Sequence, residues 1–373
     1  LKRINPKFII MQTAGENIAN VLLFKIAKKL NIKILMINPI HIHNRIVVSD
    51  NLTSQEISNK FKEIIQNFDD DLIEYDPDYI KDKTLAETVK VQHTFNFDDA
   101  STKQKISHYI NRFQNNPESI YQNMGKSKSK MFKAKILTNT ETKKRKEFLD
   151  KFSLFEIEDK NFLYFPLHTE PEAKILTTSP FFSNQLAVIE NIARSLPVDY
   201  ILYVKEHPGQ GLKIWRSIEY YKKILDLPNV KLIHPTVNAQ DLISKCSCVI
   251  SISGSTGFEA LFYKKPVILF SDEYYDCLSM VTKVNDLTHL PHLISKTLTS
   301  FKFNNKEFNA LIMSNNLKSI SFPYFQIMKD ALTISLLQTK NKNYKITEKE
   351  FKNFYTFYKK DFDILGNEFM KKL

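Results

Sequence analysis

From residue 160 onward, short apolar runs alternate with stretches in which apolar residues recur every three or four positions. Phe162-Leu163-Tyr164-Phe165, Tyr200-Ile201-Leu202-Tyr203-Val204, Val230-Lys231-Leu232-Ile233, Cys248-Val249-Ile250 and Pro266-Val267-Ile268-Leu269-Phe270 predict strands. Between them, Phe182, Leu186, Ile189, Ala193 and Leu196 mark the inner face of a helix that Ser179-Pro180 opens and Pro197 ends. Further helices are predicted over Ala239–Lys245 and Phe258–Tyr263. A similar unit opens the chain: a strand over Lys7–Met11, a turn at Thr13–Asn17, a helix over Ile18–Leu30 and a second strand over Lys33–Ile37. Strands alternating with helices imply an α/β class, parallel sheets and ligands at the carboxyl edges of the strands. Two such units predict two facing Rossmann-like domains, over residues 1–155 and 156–335, with a helical tail over 336–373.

Other stretches lack this order. Residues 41–135 are polar and without clear periodicity, and the acidic runs Asp69-Asp70-Asp71 and Asp76-Pro77-Asp78 read as solvated turns rather than metal sites. Gly125-Lys126-Ser127 imitates a phosphate loop, but Ile120 stands where its first glycine must be. Lys126–Lys130 reads as a basic surface, and Lys133–Phe152 as a charged helical connector. In the tail, Thr347 and Glu350 form a capping box, and Phe351, Phe354, Tyr355, Tyr358 and Phe362 share one helical face among lysines. That face is expected to pack on its own protein, the alternative being contact with an anionic membrane surface.

Composition narrows the classes. The chain has 373 residues with no apolar run near the length of a membrane span, and Leu1–Pro6 leads straight into an apolar strand without reading as a secretory leader. Three cysteines are too few for a disulfide scaffold and favour reduced thiols in a cytoplasmic protein. The net charge of +12 favours anionic partners without choosing among sugar nucleotides, lipid headgroups and nucleic acid. Glycine is scarce at seven residues, and four of them, Gly209, Gly211, Gly254 and Gly257, fall in two strand-end loops. A loop that keeps glycine in this background is expected to need positive φ or close approach to a ligand. The second loop, Ser253-Gly254-Ser255-Thr256-Gly257, sits between a strand and a helix, where backbone amides and hydroxyls can receive a phosphate.

The ordered set Tyr164–Glu172, Lys205-Glu206-His207-Pro208-Gly209 and Ser253–Leu261 with Lys265-Pro266-Val267 resembles the capsular polysaccharide biosynthesis family, which includes cytoplasmic Kdo transferases of the GT-B class. The resemblance covers about residues 160–275. It implies a GT-B fold and a glycosyltransferase whose second domain binds an activated sugar nucleotide, with no metal and no further cofactor. The implied donor is a CMP-activated acidic sugar such as Kdo, the acceptor a glycan or glycolipid. An acceptor on a phospholipid would bring peripheral contact with the anionic inner membrane face, and no nucleic acid is expected.

In such a transfer the leaving phosphate gains charge as the anomeric bond stretches, and preorganised donors there stabilise the transition state. Ser253, Ser255, Thr256 and the amides around Gly254 and Gly257 are expected to supply neutral donors, Lys205 a charge, and His207, beside Pro208 and Gly209, a hydrogen bond or proton. Glu259 is expected to accept from the ribose hydroxyls. The base for the acceptor hydroxyl is sought among Glu170, Glu172 and Glu16, with Glu16 on the acceptor-side wall and His168 a further candidate; His234-Pro235 reads as structural. Rival readings keep the fold and change the reaction, to a sugar-nucleotide 2-epimerase or a CDP-alcohol glycerophosphotransferase. The non-enzymatic rival is a basic nucleic-acid or membrane binding protein.

Overall fold

The computed structural model describes residues 3–12, 18–42, 44–68, 74–75, 128–158, 161–170, 172–213, 215–340 and 347–373. Asp69–Asp71, Asp76–Asp78, Gly125–Ser127 and Glu16 lie outside them.

The first unit holds β1 (Phe8–Gln12), β2 (Lys33–Pro39) and β3 (Arg45–Ser49), with the helix Ile18–Lys29 between the first two strands. β1 and β2 run parallel as the helical crossover requires, but β3 pairs antiparallel to β2. The expectation of a parallel sheet fails here for a simple reason. Too few residues separate Pro39 from Arg45 for a crossover, so the chain can only turn back.

The second unit is a sheet of six parallel strands: β4 (Phe162–Pro166), β5 (Ile201–Lys205), β6 (Val230–Ile233), β7 (Cys248–Ser251), β8 (Val267–Leu269) and β9 (Val281–Lys283). Their order is β6-β5-β4-β7-β8-β9, in which the direction of winding reverses between β4 and β7. This is the Rossmann order, and the reversal opens a crevice at the carboxyl ends of β4 and β7. β7 and β8 are buried throughout, as strands covered on both faces must be. The helix predicted from Ser179 begins later: Pro180–Phe182 is a separate 3-10 turn, and Asn184 caps the helix Gln185–Ser195 by accepting from the Ala187 amide.

The chain then returns to the first sheet earlier than the boundary expected near residue 335. β10 (Ile320–Ser321) pairs antiparallel with β3, and Arg45 donates to Ser319 and to the Asn316 carbonyl. The tail follows as the helices Glu348–Phe357, opened by the expected capping box, and Lys359–Lys372. Tyr358 packs with Ile46, Phe322 and Ile327, with Phe354 and Phe362 against them, and Phe369 packs with Leu35 and Val48. Phe351 and Phe357 stay exposed. The two units share a core in which Ile40, Ile42, Val47 and Phe61 join Phe258, Phe262, Tyr274 and Phe308.

Candidate active site in the crevice between β4 and β7

The loop after β4 is fixed from beneath by side chains that come later in the sequence. Gln185, fully buried, accepts from the His168 amide at 2.8 Å and donates to the His168 carbonyl at 3.1 Å and to Glu170 Oε1 at 2.6 Å. Gln210 accepts from the Glu170 amide and donates to its carbonyl. Arg216 ties this loop to the one after β5: its guanidinium meets Glu206 Oε2 at 2.9 Å and Glu170 Oε2 at 2.6 Å and donates to the His168 carbonyl. A buried guanidinium needs such partners. Glu206, also buried, further accepts from the Tyr221 hydroxyl and the His207 amide. Burial pushes the Glu206 carboxyl up, and Arg216 only partly offsets it.

These contacts change two expectations. Both oxygens of Glu170 are engaged, by Gln185 and Arg216, so it braces the loop after β4 instead of lying free for an acceptor hydroxyl. Lys205 is buried, and its ammonium donates to the Pro235 carbonyl at 3.0 Å instead of facing the crevice. Burial lowers it to about 8 against the pull of Glu206. A lysine at a strand end looks the same in sequence whether its head meets a ligand or a carbonyl.

What does face the crevice is a histidine and carboxylate pair. His168 Nδ1 lies 3.1 Å from Glu172 Oε2, while its Nε2 approaches the Ser251 hydroxyl at 3.5 Å. Its ring also stands over the Gly254 turn, with Cε1 3.5 Å from where a Cβ on Gly254 would be. Burial raises the Glu172 carboxyl, but the His168 hydrogen bond and charge, then Lys174 and His207, lower it on balance. His207 therefore lies within electrostatic reach of Glu172. It is exposed, and the Gly209 amide donates to its Nδ1 at 3.0 Å, which leaves the ring proton on Nε2. Pro208 and Gly209 form the turn that sets this geometry.

The loop after β7 is built around Gly254, whose φ of +94° demands glycine. Its amide donates to Glu273 Oε1 at 2.7 Å, the Ser253 hydroxyl donates to the same oxygen at 2.9 Å, and the Tyr275 hydroxyl donates to the Gly254 carbonyl at 2.7 Å. Ser253 and Gly254 thus serve the loop itself. Gly257 is needed for a different closeness than expected: a Cβ there would lie 2.6 Å from the Tyr275 hydroxyl oxygen, so the neighbour is protein. The helix runs over Ser255–Phe262, and no side chain caps it. Its first-turn amides, with the Thr256 side chain beside them, are the donors that remain. Glu259 is half-buried one turn in, hydrogen-bonded to Ser255; burial raises its carboxyl and that bond partly lowers it.

Sequence reasoning missed Lys174, Gln185, Gln210, Arg216 and His41. The loop Ser271–Tyr275 that follows β8 is packed, with Glu273, Tyr274 and Tyr275 buried. His41, from the first unit, lies against Tyr274 and Phe258 with ring centroids 6.0 and 6.1 Å away. Burial, helped by Lys174, lowers His41 to about 4. His234 is structural as read: it meets Asp150 and Thr236 and stacks on Phe155, fastening the connector helix Lys128–Phe152. A groove of about 670 Å³ near Phe162, Val198, Ile201 and Lys245 lies at the opposite, amino edge of the sheet. No helix among the described residues is long and apolar enough to cross a membrane.

A family model described as capsule polysaccharide biosynthesis protein matches residues 63–292, more than half of the chain. Protein FixF of Sinorhizobium fredii (strain NBRC 101917 / NGR234) is 26% identical over 132 residues, which are 35% of this chain and 31% of FixF. The chain thus matches less than a third of the length of that relative. Among solved structures, the beta Kdo 2,7 transferase of Thermosulfurimonas dismutans KpsC aligns with 13% identity and a TM-score of 0.40, covering 83% of this chain and 77% of that one. The beta Kdo 2,4 transferase of the same protein aligns with 11% identity and a TM-score of 0.40, covering 82% and 81%.

Proposed function

The chain belongs to the capsule polysaccharide biosynthesis family, and on that premise we propose that it is an inverting, metal-independent glycosyltransferase of GT-B type. Its donor is a sugar nucleotide, CMP-linked and acidic in the manner of Kdo, and its acceptor a glycan or glycolipid. The observation that carries this reading is the crevice between β4 and β7. There the uncapped N-terminus of the helix Ser255–Phe262 lies beside the His168 and Glu172 pair at the carboxyl edge of a parallel sheet, and His207 from the next loop acts electrostatically on Glu172.

The chemistry follows from the residues. As the bond from the anomeric carbon to the phosphate oxygen breaks, negative charge grows on the leaving nucleotide. The amides of Ser255–Gly257 and the Thr256 hydroxyl are fixed donors for it, and the His207 Nε2–H supplies a further hydrogen bond or the proton. His168, oriented by Glu172, stands on this same leaving-group side. Inversion requires the acceptor hydroxyl to attack from the opposite face, so its base belongs on the first unit, where Glu16 follows β1 and is the proposed residue. Glu259 is the proposed partner of the ribose hydroxyls. The basic balance of the chain, with Phe351 and Phe357 exposed among lysines, supports work at the cytoplasmic face of an anionic membrane as a peripheral protein.

A panel of CMP-, CDP-, UDP- and dTDP-activated sugars, offered with and without oligosaccharide acceptors, tests the reading by nucleotide release. Acceptor-dependent release of CMP is expected, and His207→Ala should lower kcat/KM by about 10² to 10³ with an unchanged Tm. An epimerised sugar nucleotide formed without acceptor would transfer the site to the 2-epimerase reading. Full activity in His207→Ala would remove the role given to that residue.

A further inference from the structure

Lys174 lies in the short helix Ala173–Thr178 after β4, and its ammonium is 2.6 Å from Glu273 Oε1. That oxygen also accepts from the Ser253 hydroxyl and the Gly254 amide, so the cation is tied to the same turn that starts the Ser255–Phe262 helix. The Glu273 side chain is 2% exposed and the Lys174 side chain 32%. The carboxylate is therefore sealed in the protein, while the side chain that brings the ammonium to it stays partly open to solvent. Lys174 follows Glu172 by two residues, and its charge acts on Glu172 and on His41 of the first unit, which packs against Tyr274 next to Glu273.

A lysine head is ordinarily mobile, and ordering it at a ligand costs rotamer entropy. Here the Glu273 carboxylate has already fixed the head, and two of its three N–H groups remain for another acceptor. Lys205, the cation named by sequence, is turned away into the protein.

Resting on the donor-site reading above, we propose that Lys174 is the fixed cation of that site and binds an anionic oxygen of the nucleotide phosphate, with Glu273 as its positioning residue. The uncapped helix supplies neutral donors to the phosphate and Lys174 supplies its charge. Glu273 does two jobs with one oxygen: it holds the Gly254 turn and it aims the ammonium.

Calorimetric titration of CMP and cytidine, which differ by the phosphate alone, separates this inference from the reading it rests on. Wild type is expected to prefer CMP. Lys174→Met should weaken CMP about 10- to 100-fold, the worth of one charge-assisted hydrogen bond, and leave cytidine unchanged, while Lys174→Arg restores most of the preference. Because Lys174→Met strands a buried carboxylate, the double variant Lys174→Met/Glu273→Gln is titrated beside it and should show the same loss of CMP preference with a recovered Tm. If the folded variants keep the wild-type ratio of CMP to cytidine affinity, the role of Lys174 is overturned and the donor site stands. If wild type binds neither ligand, or binds both equally, the donor site falls and this inference with it.

Discussion

Two loops of the second sheet keep glycine in a chain that has few, and each rests on a buried carboxylate paired with a cation. Under the loop after β5, Glu206 pairs with Arg216, and both side chains are shut away at 0% and 3% exposure. Under the loop after β7, Glu273 pairs with Lys174, and the cation keeps 32% of its surface. The difference lies in the heads. The planar guanidinium meets Glu206, Glu170 and the His168 carbonyl at once and is almost wholly buried, so it is held inside the protein. An ammonium on one carboxylate oxygen keeps donors to spare. One pair holds the scaffold of the crevice, and the other holds the scaffold and offers a charge.

The largest effect that would break this comparison is the removal of the sealed cation. Arg216→Met leaves Glu206 buried without its partner and should cost about 3 to 5 kcal/mol in denaturant unfolding. A loss below about 1 kcal/mol would mean that Arg216 is no more structural than Lys174. The second effect is a pH dependence peculiar to the open pair, because His41 packs beside it. The folded pKa of His41, about 4, lies below its ordinary 6.5. The folded state therefore binds fewer protons between these values, and the stability present above pH 6.5 is lost as pH falls toward 4, by about 3 kcal/mol. The difference in unfolding free energy between wild type and His41→Phe should follow that curve, and a flat difference would remove His41 from the buried face. The smallest effect separates the glycines. At Gly257 a Cβ meets the buried Tyr275 hydroxyl, so Gly257→Ala should cost about 1 to 3 kcal/mol. At Gly209 the nearest atom is the movable, exposed ring of His207 at 3.0 Å, so Gly209→Ala should cost under about 1 kcal/mol while disturbing the histidine. Equal Tm losses would erase the distinction between the two loops.

The alternation of apolar runs with helical periodicity makes β4, β5, β6, β7 and β8 legible, and scarce glycine points to the two loops. Gly254 has the positive φ that its retention implied. The strand order is not legible, since nothing local tells β7 to lie beside β4 rather than β6. The carboxylates and cations that set the site are unreadable for the same reason: Glu273 meets Ser253, and Arg216 meets Glu170, only after the sheet has formed. Lys205 shows the limit most clearly, because its direction is decided by the Pro235 carbonyl that β6 brings beside it. The antiparallel β3 was written in the short segment after Pro39, but the polar composition that surrounds it hid the strand.

The proposed seat of a cytidine nucleotide's phosphate is the crevice between β4 and β7. A crystal structure with CMP bound tests it most directly. Phosphate oxygens are expected within hydrogen-bond distance of the amides of Ser255–Gly257 and of the His207 Nε2. CMP bound instead at the amino-edge groove near Phe162 and Lys245, with the crevice empty, would contradict that placement.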